Sequence, residues 1–166
     1  MRRAPGAGPA PLSSPSHAPD GYDCPFCRYA AGEGNELVGP EHVVESTDET
    51  LTFTAPRIWG RCEGLLVIPK AHHENLYDLP DALGTPLFRA MRRAALALKA
   101  AEACEGVSTR QHNEPAGNQD VWHFHVHVFP RWTGDRLYDQ RPAAADRSHM
   151  AERAARLRAA LETIID

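Results

Sequence analysis

Along HVVESTDETLTFTAP (42–56) apolar and polar residues alternate, and the run Ser46–Glu49 carries turn chemistry. A period of two with a turn in its middle predicts a β-hairpin. GLLVIPKAHH (64–73) is a continuous apolar stretch stopped by Pro69, which predicts a buried strand. From Pro80 to Glu105 the period changes. Leu83, Leu87, Met91, Ala94 and Leu98 recur every three or four residues, the spacing of a long amphipathic helix that Gly106 stops. VSTRQHNEP (107–115) predicts another strand, Pro115–Asn118 a turn, and 121–130 a further strand. A second helical pattern runs through Met150, Ala154, Leu157, Leu161 and Ile164 within 145–164. There is no internal repeat. These elements predict an α+β fold, an antiparallel sheet of about five strands with one long helix packed on it plus a C-terminal helix.

Composition narrows the class. A chain of 166 residues is one domain with room for a good core. Lys plus Arg total 18 against 22 Asp plus Glu, a net charge of −4, which argues against a non-specific nucleic-acid binder. No apolar run approaches the ~18 residues of a membrane span. The N-terminal MRRAPGAGPAPLSSPSHAPDG lacks an apolar core of ~7–15 residues and so is not read as a secretory signal. Its Pro, Gly, Ala and Ser content predicts disorder over 1–20, followed by a folded domain over 21–140 and a helical extension over 141–166. The expected location is cytoplasmic, with neither nucleic acid nor membrane as a partner.

The candidate chemistry lies in HFHVHVF (123–129), where His123, His125 and His127 alternate with Phe124, Val126 and Val128. Read as a strand, the stretch projects all three imidazoles from one face, rooted roughly 6.6 Å apart. Burying three polar rings side by side demands a partner for each, so a purely structural row is disfavoured. Cys24 and Cys27 form a CxxC for which half a zinc site, a redox dithiol and chance compete. Placement after a disordered tail, rather than after a strand, favours metal. Cys62 and Cys104 read as buried small hydrophobes.

Taken together, these motifs resemble the histidine triad (HIT) superfamily, over roughly Asp23 to Trp132. The resemblance is carried by the CxxC, the LVIPKxH run (Leu66 to His72), the long helix, and NEPAGNQDVWHFHVHVFPR (113–131). It implies a homodimer with sheets joined across the interface and a pocket over the histidine strand for a purine nucleotide or dinucleoside polyphosphate. It places catalysis on His123, His125 and His127, with His125 as nucleophile and His127 holding the phosphate. A neutral imidazole is a good nucleophile near pH 7, and attack on an α-phosphorus would give a nucleotidyl-histidine for water or another acceptor to resolve. Asn113 and Gln119 are expected to donate hydrogen bonds to phosphate oxygens, with Asp120 beside them. In some members a structural Zn²⁺ is held by residues that correspond here to Cys24, Cys27, His72 and His123, two thiolates and two imidazoles with no open position. His73 is the alternative to His72, and His17 and His42 are read as solvated.

This sequence departs from the family in two places. Gly64 stands where many members carry a fourth histidine that buttresses the triad, and Asp120 stands where Ser or Thr is common. Asp120 reads either as a source of repulsion toward phosphate or as a general acid for the leaving group. An acidic ribose ligand is also common, but that position reads Thr52-Phe53-Thr54-Ala55, which places no sugar contact. Two functions follow: a nucleotide hydrolase or nucleotidyl transferase acting through His125, or a zinc-stabilised nucleotide-binding module with weak or no catalysis.

Overall fold

A computed structural model describes residues 15–164. In chain order these form α1 (Pro25–Ala30), β1 (Val43–Ser46), β2 (Thr50–Trp59), β3 (Cys62–Pro69), α2 (Gly84–Glu102), β4 (Gly106–Gln111), β5 (Val126–Arg131), β6 (Pro142–Ala144) and α3 (Arg147–Glu162). All strand pairs are antiparallel, in the order β1-β2-β3-β5-β4, and β6 pairs with the far end of β2. The fold is the expected α+β sheet with a long helix and a C-terminal helix, and β6 makes six strands rather than five. Pro142-Ala-Ala has no periodic signature, because β6 is held only by pairing Arg57–Trp59 of β2.

The period of two sorts the sheet into two faces. On one, Leu65 and Val67 of β3, Val126 and Val128 of β5, and Phe124 pack against Leu87, Ala90, Ala94, Ala97 and Leu98 of α2. Ala154, Leu157 and Leu161 of α3 close the same core, so two helices cover this face. Each large side chain buried here contributes about 1.5–3 kcal/mol. On the other, Leu51, Phe53 and Ala55 of β2 and Leu66 and Ile68 of β3 meet Phe26 and Tyr29 of α1. His125 and His127 lie on this second face.

Several local details differ from the sequence expectations. The strand read over 121–130 begins only at Val126. Continuing the β3–β5 register would set Pro69 opposite Phe124, and proline has no N–H to give to a ladder. Phe124 instead donates its N–H to the His73 carbonyl, 2.6 Å away. α2 ends before Gly106, at Ala103 in a left-handed conformation (φ 49°), with Lys99 donating to the Cys104 carbonyl at 2.7 Å. Asp146 caps α3 by accepting the His149 N–H at 2.8 Å.

The expected disorder over 1–20 falls mostly on residues 1–14, outside the described residues; residues 15–20 are placed. Ser16 and the His17 backbone N–H both donate to Glu74, and the His17 ring stacks on Trp122 at 5.8 Å. His17 is therefore not simply solvated. Nor is His42, which is fully buried: it accepts the Gly39 N–H at 2.8 Å and bonds the Arg147 carbonyl at 3.1 Å, tying the turn before β1 to α3. Both polar edges of this ring find a backbone partner, which makes burial tolerable.

Candidate active site and metal centre

A cavity of about 590 Å³ opens on the second sheet face. His125 and His127 form its floor, with Leu66 of β3 beside them. Ala55, Pro56, Arg57 and Trp59 of β2 give one wall, Phe26 and Tyr29 of α1 another, and Arg110, His112, Asn118, Asp120 and Val121 the third. Of Thr52-Phe53-Thr54-Ala55 only Ala55 lines it; Thr52 and Thr54 lie opposite Val67 and Leu65 on the helix-covered face, and Phe53 is buried beneath α1.

His125 is 2% exposed and is fixed by its own chain. Its Nδ1 lies 2.8 Å from the His123 carbonyl, so Nδ1–H donates and the free lone pair sits on Nε2. Phe26 meets the ring edge-on at 5.3 Å and His127 lies 5.2 Å away. Burial holds its pKa below the ordinary imidazole value, opposed in part by the bond to the His123 carbonyl. Burial, followed by the neighbouring His125 and the Arg110 cation, pushes His127 down to about 3. Both rings are thus neutral near pH 7, the state in which an imidazole nitrogen can attack an electrophile.

The structure explains why Gly64 replaces the buttressing histidine. A Cβ at 64 would lie 2.8 Å from Cε1 and 3.0 Å from Cδ1 of Phe129. Phe129 fills that space and stacks parallel on His127, with centroids 5.4 Å apart and planes 3° apart. Phe129, rather than a side chain at position 64, packs against His127. His127 Nδ1 is buried without a hydrogen-bond partner.

Of the three residues expected beside the phosphate, two lie outside the cavity lining and one reaches its mouth. Gln119 is 5% exposed and does not line the cavity. Its amide donates to the Glu74 and Val121 carbonyls and accepts the Glu114 N–H, so it spends its bonds shaping the loop. Asn113 likewise exchanges bonds with the Gln111 amide and accepts the Leu76 N–H at 2.8 Å. Asp120 does reach the cavity mouth, where its carboxylate pairs with Arg57 at 3.0 Å. That guanidinium answers the repulsion which a lone carboxylate would exert on phosphate. The expectations missed Phe26, Arg57, Trp59, Arg110 and His112. Only Arg110 and His112 carried a sequence signal, two polar residues at alternate positions before Asn113.

The four residues expected to bind zinc converge beside this cavity. Cys24 Sγ lies 3.4 Å from His123 Nδ1, and Cys27 Sγ lies 3.2 Å from His72 Nδ1 and 3.6 Å from His123 Nδ1. All four donor atoms fall within 4.8 Å of one another. Bonds of ~2.3 Å to sulfur and ~2.0 Å to nitrogen at tetrahedral angles require separations of about 3.3–3.8 Å, and the three sulfur–nitrogen distances above lie close to that range, as a closed tetrahedral ion needs. His123 Nε2 lies 2.9 Å from the Pro69 carbonyl, which takes the proton there and leaves Nδ1 free to coordinate. His73 offers no atom to the cluster. Cys24 does cap a helix, but burial and the hydrogen bond and charge of Cys24 push the Cys27 thiol up to about 11. The two imidazole nitrogens that converge on both sulfurs favour a metal over a redox dithiol, and a bound cation would draw both thiols to thiolates.

A model of the HIT domain matches residues 40–134. The protein hit of Bacillus subtilis is 30% identical over 112 residues, 66% of this chain and 72% of the relative. An adenylylsulfatase of Arabidopsis thaliana is 26% identical over 118 residues, 70% of this chain and 56% of that one. Among solved structures, a zinc-bound histidine triad family protein from Mycobacterium smegmatis superposes with a TM-score of 0.68 at 29% identity, covering 84% of this chain and 94% of that one. The match over 40–134 takes in His72 and the histidine row but stops short of Cys24 and Cys27.

Proposed function

The chain belongs to the HIT domain family, and from that premise we propose that it is a nucleotide hydrolase or nucleotidyl transferase working through a covalent nucleotidyl-His125. One observation carries this reading: a neutral His125 whose Nδ1 proton is tied to a carbonyl, leaving the Nε2 lone pair at the floor of a cavity of about 590 Å³. Nε2 forms a bond to the α-phosphorus as the bond from phosphorus to the leaving group breaks and its electron pair departs with that group. The positive charge that develops on the ring is stabilised through Nδ1–H by the His123 carbonyl. Water, or another acceptor, then attacks the same phosphorus, gives up its proton to solvent, and releases His125 with the electron pair of the broken phosphorus–nitrogen bond as the neutral imidazole. His127 flanks the phosphate as a neutral group, adding no fixed charge that would tighten the ground state. The A. thaliana relative is named for a hydrolysis of this kind, an adenylyl–sulfate bond.

Zn²⁺ would be held by Cys24, Cys27, His72 and His123 and would be structural, clamping the N-terminal segment to the sheet. It supplies folding free energy and no step of the reaction. Pairing of two copies in a homodimer, a purine as the base and a cytoplasmic location belong to the same proposal. No described helix is long and apolar enough to cross a membrane. His125→Ala tests the reading: kcat/KM should fall by at least about 10³, roughly 4 kcal/mol, while affinity for the nucleoside monophosphate stays within about threefold. A loss below about tenfold favours the alternative, a zinc-stabilised nucleotide-binding module.

A further inference from the structure

Arg110 has no counterpart among the expected site residues, yet it lines the cavity and faces His127 directly across the β4–β5 pair. Directly opposed residues project from the same sheet face with Cβ atoms about 4.5–5.5 Å apart. Its guanidinium carbon lies 5.2 Å from the Trp59 ring centroid and 5.1 Å from that of Phe129, so two aromatic faces fix its position. Among the described residues no carboxylate pairs with it, and its buried Nε has no hydrogen-bond partner. The other cavity arginine, Arg57, is already matched by Asp120 at 3.0 Å. A guanidinium held in place with its donors uncommitted is a costly arrangement, and it becomes favourable when an anion arrives.

Building on the proposed attack at the α-phosphorus, we propose that Arg110 is a specificity-determining residue that binds an anionic leaving group next to the α-phosphate. The substrates it selects join the nucleotidyl group to a second oxyanion, such as another phosphate. Substrates that release a neutral amine gain nothing from it. When the Nε2–phosphorus bond forms and the phosphorus–oxygen bond breaks, the electron pair leaves on that oxygen. The charge on the departing oxyanion therefore rises in the transition state, where a preorganised guanidinium does the most work. Two parallel N–H donors also match a phosphate edge in a way a lysine would not.

The test uses the full, metal-loaded chain in two arms. In the first, titration calorimetry compares ADP with AMP. The wild type should bind ADP about tenfold or more tighter than AMP, and Arg110→Gln should bring the ratio to within about twofold. In the second, turnover of diadenosine triphosphate, which releases ADP, is compared with that of adenosine 5′-phosphoramidate, which releases ammonia. Arg110→Gln should slow the first by about 10²-fold and the second by less than threefold. Should Arg110→Gln not fold, Arg110→Met keeps the apolar stem on Trp59 and Phe129 and is read the same way. Equal losses on both substrates, an unchanged ADP/AMP ratio in the variant, or no wild-type preference for ADP would each overturn the assignment. If the wild type turned over neither substrate, the catalytic reading would fail, and the binding ratio would still decide the role of Arg110.

Discussion

Replacing Gly64 by alanine tests whether Phe129 supports the histidine row. The added Cβ would sit 2.8 Å and 3.0 Å from two Phe129 ring carbons, against an optimum of roughly 3.5–4.0 Å. The ring has nowhere to go. It is fully buried, lies parallel to His127 at 5.4 Å, and meets Trp59 edge-on at 5.3 Å. Overpacking of this kind costs about 1–3 kcal/mol, and removing a glycine from the unfolded chain offsets about 0.4–1 kcal/mol of it. The net, about 1–2 kcal/mol, should lower Tm by roughly 2–8 °C for a chain of this length. Activity should suffer more. A shift of His127 by about 1 Å reduces a positioned reaction by about 10²-fold. Phe129→Leu in the same chain should restore part of both, a coupling of at least about 0.5 kcal/mol in a double-mutant cycle. Thermal melts and kcat/KM on the four proteins decide it. A Gly64→Ala protein with wild-type Tm and kcat/KM would refute the role given to Phe129.

Two further outcomes follow from the same structure. Purified protein should carry about one zinc per chain, and Cys24→Ser should lower both metal content and Tm, with activity falling only as folded protein is lost; a metal-free chain with unchanged melting contradicts the four-ligand site. Asp135 accepts both Nε and Nη2 of Arg131 at 2.7 Å and the N–H groups of Trp132 and Leu137, and the Arg131 pairing, the largest cause, holds its carboxyl well below the usual range. A depressed folded pKa stabilises above the unfolded value of about 3.9 and loses that contribution as pH falls below it. Asp135→Asn should therefore cost about 2–3 kcal/mol at pH 7 and flatten the acid limb of the Tm–pH curve. Parallel curves for the two proteins would show that the pair contributes nothing.

The parts of the molecule legible in the sequence were those governed by period and spacing. Leu87, Ala94 and Leu98 of α2, and Ala154, Leu157 and Leu161 of α3, occupy the core that their periodicity assigned. The candidate metal cluster was legible through the family resemblance, which singled out Cys24, Cys27, His72 and His123 beyond the bare CxxC. What depends on pairing between strands was hidden. Arg110 reaches the cavity only because β4 sets it opposite His127, and Gly64 matters only because β3 lies beside Phe129. Asn113 and Gln119 look like phosphate ligands in one dimension. In three, the Glu74 and Val121 carbonyls take both N–H groups of Gln119, and the Gln111 amide takes one from Asn113. His42 shows the converse, a polar residue in a polar context that the fold encloses completely.

The most direct measurement of the central claim is trapping of the covalent intermediate. Metal-loaded protein is mixed with a substrate labelled in the α-phosphate, quenched within one turnover under alkaline denaturing conditions that preserve a phosphorus–nitrogen bond, and digested to locate the label. The account predicts a labelled peptide carrying the nucleotidyl group on His125, absent from His125→Ala and present in His127→Ala. Turnover with no label on the chain, or label on a residue other than His125, would contradict it.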